Sequence, residues 1–229
     1  MKAMILAAGY GKRLRPLTDK TPKPMIPVAG KPLLQHHIER LVAMGITEVV
    51  INISWLSEQI EAYFGDGANF GITISWSREP SPLETGGGIL NALPLLGDKP
   101  FLLINGDIWT DFPLLEAKNI ILGANQSAWL LLVNNPQHNP EGDFGLKNGL
   151  VSYQPDLKYT FSGISVFRPE LVAEYALKNT NTVCFPLRDI LRPAIEAESI
   201  IGSVYSGDWC DVGTEERYQH LNNRLTAPK

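Results

Sequence analysis

Met4-Ile5-Leu6-Ala7-Ala8-Gly9-Tyr10-Gly11-Lys12-Arg13-Leu14-Arg15-Pro16-Leu17-Thr18-Asp19-Lys20-Thr21-Pro22-Lys23-Pro24-Met25, residues 4–25, decides how the chain is read. The apolar run Met4 to Ala8 predicts a short buried strand, which the chain leaves through small residues and two glycines. Backbone without side chains can approach a polyphosphate closely, with its N–H groups free to point at the oxygens. Lys12, Arg13 and Arg15 follow at once, and Lys23 stands between two prolines that stiffen its segment. A strand, a glycine turn and fixed cations together predict a cradle for a nucleotide's phosphates. The two commoner cradles do not fit. A Walker A loop needs Gly-Lys-Ser/Thr after an earlier glycine, and Gly11-Lys12 is followed by Arg13. A dinucleotide fingerprint needs a third glycine where Leu14 stands.

Outward from this stretch, helical and strand patterns alternate. Pro32 to Met44 predicts a helix with Leu34, Ile38, Leu41 and Val42 on one face and Gly45 beyond its end. Glu48 to Ile53 predicts a strand, and Ser57 to Phe64 a helix capped by Ser54 or Ser57. Ile72 to Trp76 predicts a strand, and Ile89 to Leu96 a short helix or turn. Phe101 to Ile104 is wholly apolar, as in the middle of a parallel sheet. Strands and helices at this spacing predict βαβ units and an α/β fold.

The second half is less regular. Trp129 to Val133, Phe161 to Phe167 and Ile200 to Tyr205 predict strands, and Pro186 to Ala197 a helix. The long polar stretch Asn134 to Asp156 predicts a binding lobe over the site rather than core. Thr214 caps an expected last helix, with Glu215 and Glu216 at the positive end of its dipole. No repeat or hexapeptide period is present, which argues against a β-helical second domain. Residues 1–229 are expected to form one domain, 1–110 the half that holds the phosphate cradle and 111–229 a second, less regular half.

Composition narrows the function. Net charge is −4, yet residues 1–40 hold eight Lys/Arg against Asp19 and Glu39, so the remainder carries −10. A basic N-terminal segment in an acidic chain suits a local polyanion, not the broad basic face that nucleic acid wants. No apolar run approaches the roughly 18 residues of a membrane span, and no signal-peptide pattern precedes the first strand. Cys184 and Cys210 are too few for a disulfide framework. A cytoplasmic protein without membrane or nucleic-acid partners is the expectation; protein partners are not legible.

Three later motifs carry chemistry. Asn105-Gly106-Asp107 ends the apolar strand, where open α/β sheets put ligands, although it reads as readily as a turn. Asp211, in Asp211-Val212-Gly213-Thr214, is a second isolated acid, and two such carboxylates suit Mg²⁺. Glu84-Thr85-Gly86-Gly87-Gly88 is a second glycine cluster, read either as a flexible turn or as a ligand contact. His36, His37, His138 and His220 have no metal-ligand spacing and read as structural. Trp109, just past Asp107, is the tryptophan within reach of a substrate.

Leu6-Ala7-Ala8-Gly9-x-Gly11-x-Arg13-Leu14-x-Pro16-Leu17-Thr18 with Pro22-Lys23-Pro24-Met25 resembles the signature of the sugar-1-phosphate nucleotidylyltransferases. The likeness continues through Glu84–Gly88, Asn105–Asp107 and Asp211–Thr214. It implies a Rossmann-like three-layer fold, a mixed, mostly parallel central sheet and a small sugar-binding lobe. Mg²⁺ is the implied cofactor, on Asp107 and Asp211. Nucleotide contacts carry over to Ala8, Gly9, Gly11, Lys12, Arg13 and Lys23, with Glu84, Thr85 and Gly86 against the base. Arg13, Lys23 and Asp107 are the implied catalytic residues. Asn105, Asp143, Ser162 and Gly163 are the implied sugar-phosphate side.

Pro82–Ile89, Gly142-Asp143-Phe144 and Thr160–Val166 are most similar to family members that join UTP to N-acetylmuramate 1-phosphate in peptidoglycan recycling. Glucose, mannose or N-acetylglucosamine 1-phosphate with UTP, GTP or dTTP is the alternative, and a catalytically silent nucleotide-sugar sensor a second. One departure stands out. Many relatives carry a second lysine in Glu-Lys-Pro, and that tripeptide is absent; Lys147 and Lys158 lie in other contexts.

Overall fold

The computed structural model describes residues 1–154 and 157–227. Strand β1 (Ala3–Leu6) runs into the glycine turn, which tightens into a 3₁₀ turn over Lys12–Leu14. A second 3₁₀ turn, Lys23–Met25, leads to the small hairpin β2 (Pro27–Val28) and β3 (Lys31–Pro32). Helix α1 (Leu33–Ala43) follows, burying Leu34, Ile38 and Leu41 at helical spacing together with His37. Strand β4 (Glu48–Ile53), helix α2 (Ser57–Phe64) and strand β5 (Thr73–Arg78) come next. Neither expected serine caps α2, because Leu56 takes the N-cap position in a left-handed conformation.

Helix α3 (Glu84–Leu96) is longer than its sequence predicts and takes all three glycines of the second cluster into its opening turns. The apolar strand is β6 (Phe101–Asn105), followed by β7 (Ile108–Thr110) and the short helix α4 (Leu114–Lys118). Strand β8 (Ala128–Val133) precedes the polar stretch. Part of that stretch is regular: β9 (Phe144–Lys147) and β10 (Leu150–Ser152) join the main sheet at its edge. Its last two residues, Pro155 and Asp156, lie outside the described residues. The remaining elements are β11 (Lys158–Phe167), α5 (Pro169–Lys178), α6 (Leu187–Glu196), β12 (Ile200–Tyr205), β13 (Trp209–Asp211) and α7 (Glu215–Thr226). As expected, Thr214 caps α7, its hydroxyl oxygen accepting from Arg217 N at 3.4 Å.

Nine strands form one sheet in the order β5-β4-β1-β6-β11-β8-β12-β10-β9. The first four are parallel, and β11 lies antiparallel to both β6 and β8. The four sheet strands from residues 1–110 are therefore all parallel, and those from the second half of the chain are mixed. Alternate residues feed two cores. Ile5, Ile51 and Ile104 pack under α1, α2 and α4, while Met4, Leu103 and Leu130 pack under α3, α5 and α6. A smaller cluster of Val28, Leu33, Val212 and Leu221 seats α7 on the β2–β3 hairpin. Among the described residues no helix is long and apolar enough to cross a membrane.

Candidate active site

Register does the first placing. Leu6 pairs with Asn52 on one side and Asn105 on the other, so three parallel strands end level with one another. Beyond those ends lies a cleft of about 350 Å³, at the crevice where the strand order turns around β1. Its roof is the glycine turn. Gly11 has φ +64, and a Cβ there would lie 2.7 Å from Thr18 Cγ2; the Thr18 hydroxyl donates to Gly11 O at 2.8 Å. Gly9 is different, because nothing stands within 4 Å of where its Cβ would be. Gly106 N donates to Leu6 O at 2.9 Å, an approach a side chain would block, and this turns Asp107 into the cleft.

On the floor, Lys23 Nζ meets Asp107 Oδ2 at 2.5 Å. The lysine side chain is nearly buried, at 12 % exposure, and the aspartate keeps 32 %. Burial alone would raise the Asp107 carboxyl, but the Lys23 ammonium, its hydrogen bond and the Arg13 charge hold it below the usual carboxylate range. Beneath this pair His37 is buried and its Nε2 has no partner. Burial, helped by the nearby charges of Arg40 and His36, pushes its imidazole down to about 3, so it is neutral.

Of the residues singled out in the sequence, Ala8, Gly9, Gly11, Lys12, Arg13, Lys23, Glu84, Thr85, Asn105 and Asp107 line the cleft. Gly86, Asp143, Ser162, Gly163 and Asp211 do not. Gly86 packs on the Phe185 ring and gives its N–H to Phe185 O. Ser162 is fully buried, its hydroxyl oxygen accepting from Ile164 N. Gly163, at φ +83 in an irregularity of β11, makes room for Asn105, whose amide would lie 2.7 Å from a Cβ. Asp143 accepts from Phe161 N and ties the polar loop to β11. Trp109 faces Arg224 rather than the cleft, with the guanidinium 5.2 Å from its ring centroid.

Two lining residues, Asn52 and Glu79, are absent from the sequence reading. Both are buried. Asn52 accepts from Ala7 N at 2.8 Å and donates to Glu79 Oε1 at 2.7 Å; Glu79 Oε2 accepts from Leu83 N at 2.9 Å. Neither carries a local sequence signature; the pairing of β4 with β1 and β5 is what brings them to the cleft. The cleft is thus polarised, with Lys12, Arg13 and Lys23 facing its roof and floor and Glu79 and Glu84 on its α3 side.

Asp211 reaches the site by a ladder. It pairs with Ile108 across β13–β7, and Val212 N donates to Asp107 O at 2.7 Å, which sets the two acid-bearing segments side by side. His138 Nε2 lies 2.9 Å from one Asp211 oxygen and Arg217 Nη2 3.1 Å from the other. Both contacts miss hydrogen-bond angles, and Asp211 Oδ1 is buried with no directed partner. Among the described residues no group of three or more His, Cys, Asp or Glu could hold a metal. The two carboxylates, Asp107 in the cleft and Asp211 beside it, are hard oxygen donors of the kind Mg²⁺ takes, one or two at a time with further oxygens from a ligand or water.

The nucleotidyl transferase family model matches residues 2–149. The chain belongs to that family. It is 47 % identical over 221 residues to the N-acetylmuramate alpha-1-phosphate uridylyltransferase of Neisseria meningitidis serogroup B, covering 93 % of this chain and 94 % of that protein. The mannose-1-phosphate guanyltransferase of Gibberella zeae is 36 % identical over 68 % of the chain, and mannose-1-phosphate guanyltransferase beta-A of Xenopus laevis 30 % over 93 %. The chain spans 42 % and 61 % of their respective lengths. A putative glucose-1-phosphate thymidylyltransferase from Bacillus anthracis superposes with a TM-score of 0.84 at 20 % identity, over 100 % of this chain and 96 % of that one. A UDP-glucose pyrophosphorylase does so at 0.79 and 22 %, over 97 % of each chain. The chain shares with these two the nucleotide-diphospho-sugar transferase fold, in keeping with the fold its sequence resemblance implies.

Proposed function

We propose that this chain transfers a uridylyl group from UTP to N-acetylmuramate 1-phosphate, giving UDP-N-acetylmuramate and pyrophosphate in cytoplasmic peptidoglycan recycling. One observation carries the chemistry: Lys23 and Asp107 meet on the floor of a cleft roofed by the glycine turn. The identity to the Neisseria protein over almost the whole of both chains supports the sugar and the base. Residues 1–229 act as one catalytic unit.

A phosphate oxygen of the sugar 1-phosphate attacks the α-phosphorus, and pyrophosphate leaves opposite. Both partners are anionic, so the protein's task is to neutralise and align. Loop N–H groups from Gly9 to Lys12, with Arg13, hold the β- and γ-phosphates and the departing pyrophosphate. Lys23 neutralises the α-phosphate and the incoming phosphate, its ammonium held in place by Asp107. The nucleoside lies toward Glu79, Glu84 and Thr85, where carboxylates accept hydrogen bonds and would repel phosphate. Asn105, set by Gly163, faces the sugar phosphate, and Asp143 and Ser162 shape the strand behind it. Asp107, ionised at neutral pH, and Asp211 would hold Mg²⁺, which supplies Lewis-acid charge to the phosphates. No general base is required, because the attacking phosphate is already ionised.

The test is pyrophosphate release with UTP and Mg²⁺, comparing N-acetylmuramate 1-phosphate with N-acetylglucosamine 1-phosphate. They differ by a lactyl ether bearing a carboxylate. Strong preference for the muramate is expected; preference for the unsubstituted sugar would keep the chemistry and overturn the substrate.

A further inference from the structure

The Asp211 carboxylate is gripped from two sides by groups of very different permanence. Arg217 belongs to α7, and local sequence delivers it: Thr214 caps the helix through Arg217 N, which brings the side chain back one turn under Asp211. Gly213 makes that return fit. A Cβ there would stand 2.7 Å from Asp211 Oδ2 and collide with Arg217 Nη2. The helix itself is anchored. Leu221 packs with Val212 and Val28, Asn222 accepts from Ala29 N at 2.9 Å, and Tyr218 donates to Pro27 O at 3.0 Å. Arg217 Nε and Nη2 are buried without hydrogen-bond partners, so the guanidinium is committed to Asp211 by charge and enclosure alone.

His138 is the opposite case. It sits on the polar loop between β8 and β9, and its side chain keeps 38 % of its exposure, against 17 % for Arg217. The loop is tied down one residue on, where Asn139 donates to Thr160 Oγ1 at 3.1 Å and to Asp143 Oδ1 at 3.2 Å.

We propose that Arg217 is the positioning residue that orders the Asp211 carboxylate for a divalent cation, and that His138 is a displaceable cover on Oδ1. This rests on the reading of Asp211 as a metal ligand. A carboxylate fixed through one oxygen offers the other without losing rotational freedom on binding, as outer-shell partners of metal ligands do. The imidazole must leave Oδ1 before a cation takes it, so its presence taxes affinity by the fraction of molecules it occupies.

Mn²⁺ titration followed by EPR, on the full chain with the α,β-methylene analogue of UTP, separates these roles. Asp211→Asn should weaken Mn²⁺ binding, and wild-type affinity in that variant would overturn the ligand reading itself. Given that loss, Arg217→Gln should weaken binding roughly tenfold or more, with Arg217→Lys restoring part of it. His138→Ala should tighten binding roughly threefold. Should Arg217→Gln not fold, Arg217→Met keeps the buried stem and removes the guanidinium, and the same loss is expected. Wild-type affinity once the Arg217 guanidinium is removed overturns its role, and unchanged or weaker binding in His138→Ala overturns the cover.

Discussion

The chain has two glycine clusters that look alike on paper and do opposite things. Gly9 stands in an open turn over the cleft, with nothing within 4 Å of where a Cβ would be, while Gly11 beside it closes that turn against Thr18. Gly86, Gly87 and Gly88 are buried in the opening turns of α3, where the absence of side chains leaves room for the protein itself: the Phe185 ring, the Val183 carbonyl, and the Asn52–Glu79 pair. Glycine costs a helix interior about 1 kcal/mol each relative to alanine. Three in a row therefore mark a helix held by close approach to its neighbours rather than by propensity. The cleft is lined by the first cluster and by the rim of the second, where Glu84 and Thr85 meet it.

The largest effect that could break this contrast lies under the first cluster. Lys23→Ala should lower kcat roughly 10²-fold or more, measured by pyrophosphate release. An unchanged kcat would leave the glycine turn without its chemistry. Gly87→Ala should act on stability instead. Its methyl group would meet the Val183 carbonyl and the Cys184 backbone, which cannot yield cheaply. The expected cost is about 2 kcal/mol, or a Tm lower by roughly 4–8 °C, with kcat retained below the transition. Gly9→Ala should do the reverse, leaving Tm in place while raising the KM for UTP about tenfold, worth about 1.4 kcal/mol. If Gly9→Ala melts early and Gly87→Ala loses turnover, the two clusters have been assigned the wrong way round.

The smallest effect concerns the floor. His37 titrates at about 3 in the folded chain and near 6.5 when unfolded, so the unfolded chain binds more protons between those values. Its contribution is nil above pH 7, where both states are neutral, and stability falls as pH drops below 6.5. At pH 6 the loss is just under about 1 kcal/mol. Replacing His37 by Asn should flatten that limb in denaturant titrations at pH 5, 6 and 7; an unaltered slope would mean another group titrates there.

Much of the fold was legible because it is written in periodicity. Glu48–Ile53, Ser57–Phe64 and Ile200–Tyr205 lie where their patterns predict; β4 is an apolar run buried on both faces, and α2 buries Ile60 and Phe64 one turn apart. Helix α3 hid its first turns behind three poor helix formers, and only packing explains them. Helix α5 escaped notice although Pro169 at its first turn and Glu170 beside it are ordinary start signals. Strands β7 and β13 have three residues each, too short for any pattern. In the site, the phosphate side was readable because its cations follow one strand. Asn52, Glu79 and His138 come from distant segments with no local signature, and only the sheet register and loop path bring them in.

Strand β11 has one more consequence. It is supplied by the second half of the chain, yet it hydrogen-bonds to β6 of the first half along one edge and to β8 along the other. Its irregularity at Gly163 seats Asn105, a residue of that first half. Exchanging sugar-recognition segments between relatives would therefore mean unstitching the middle of the sheet. A chimera joined near residue 110 inherits a foreign central strand together with any new substrate, and must repack Phe101 against Phe167 before it can bind anything. Swapping only the loop 134–143 leaves that seam intact, because it stops short of β9 and β10, whose Phe144 and Val151 are themselves part of the core.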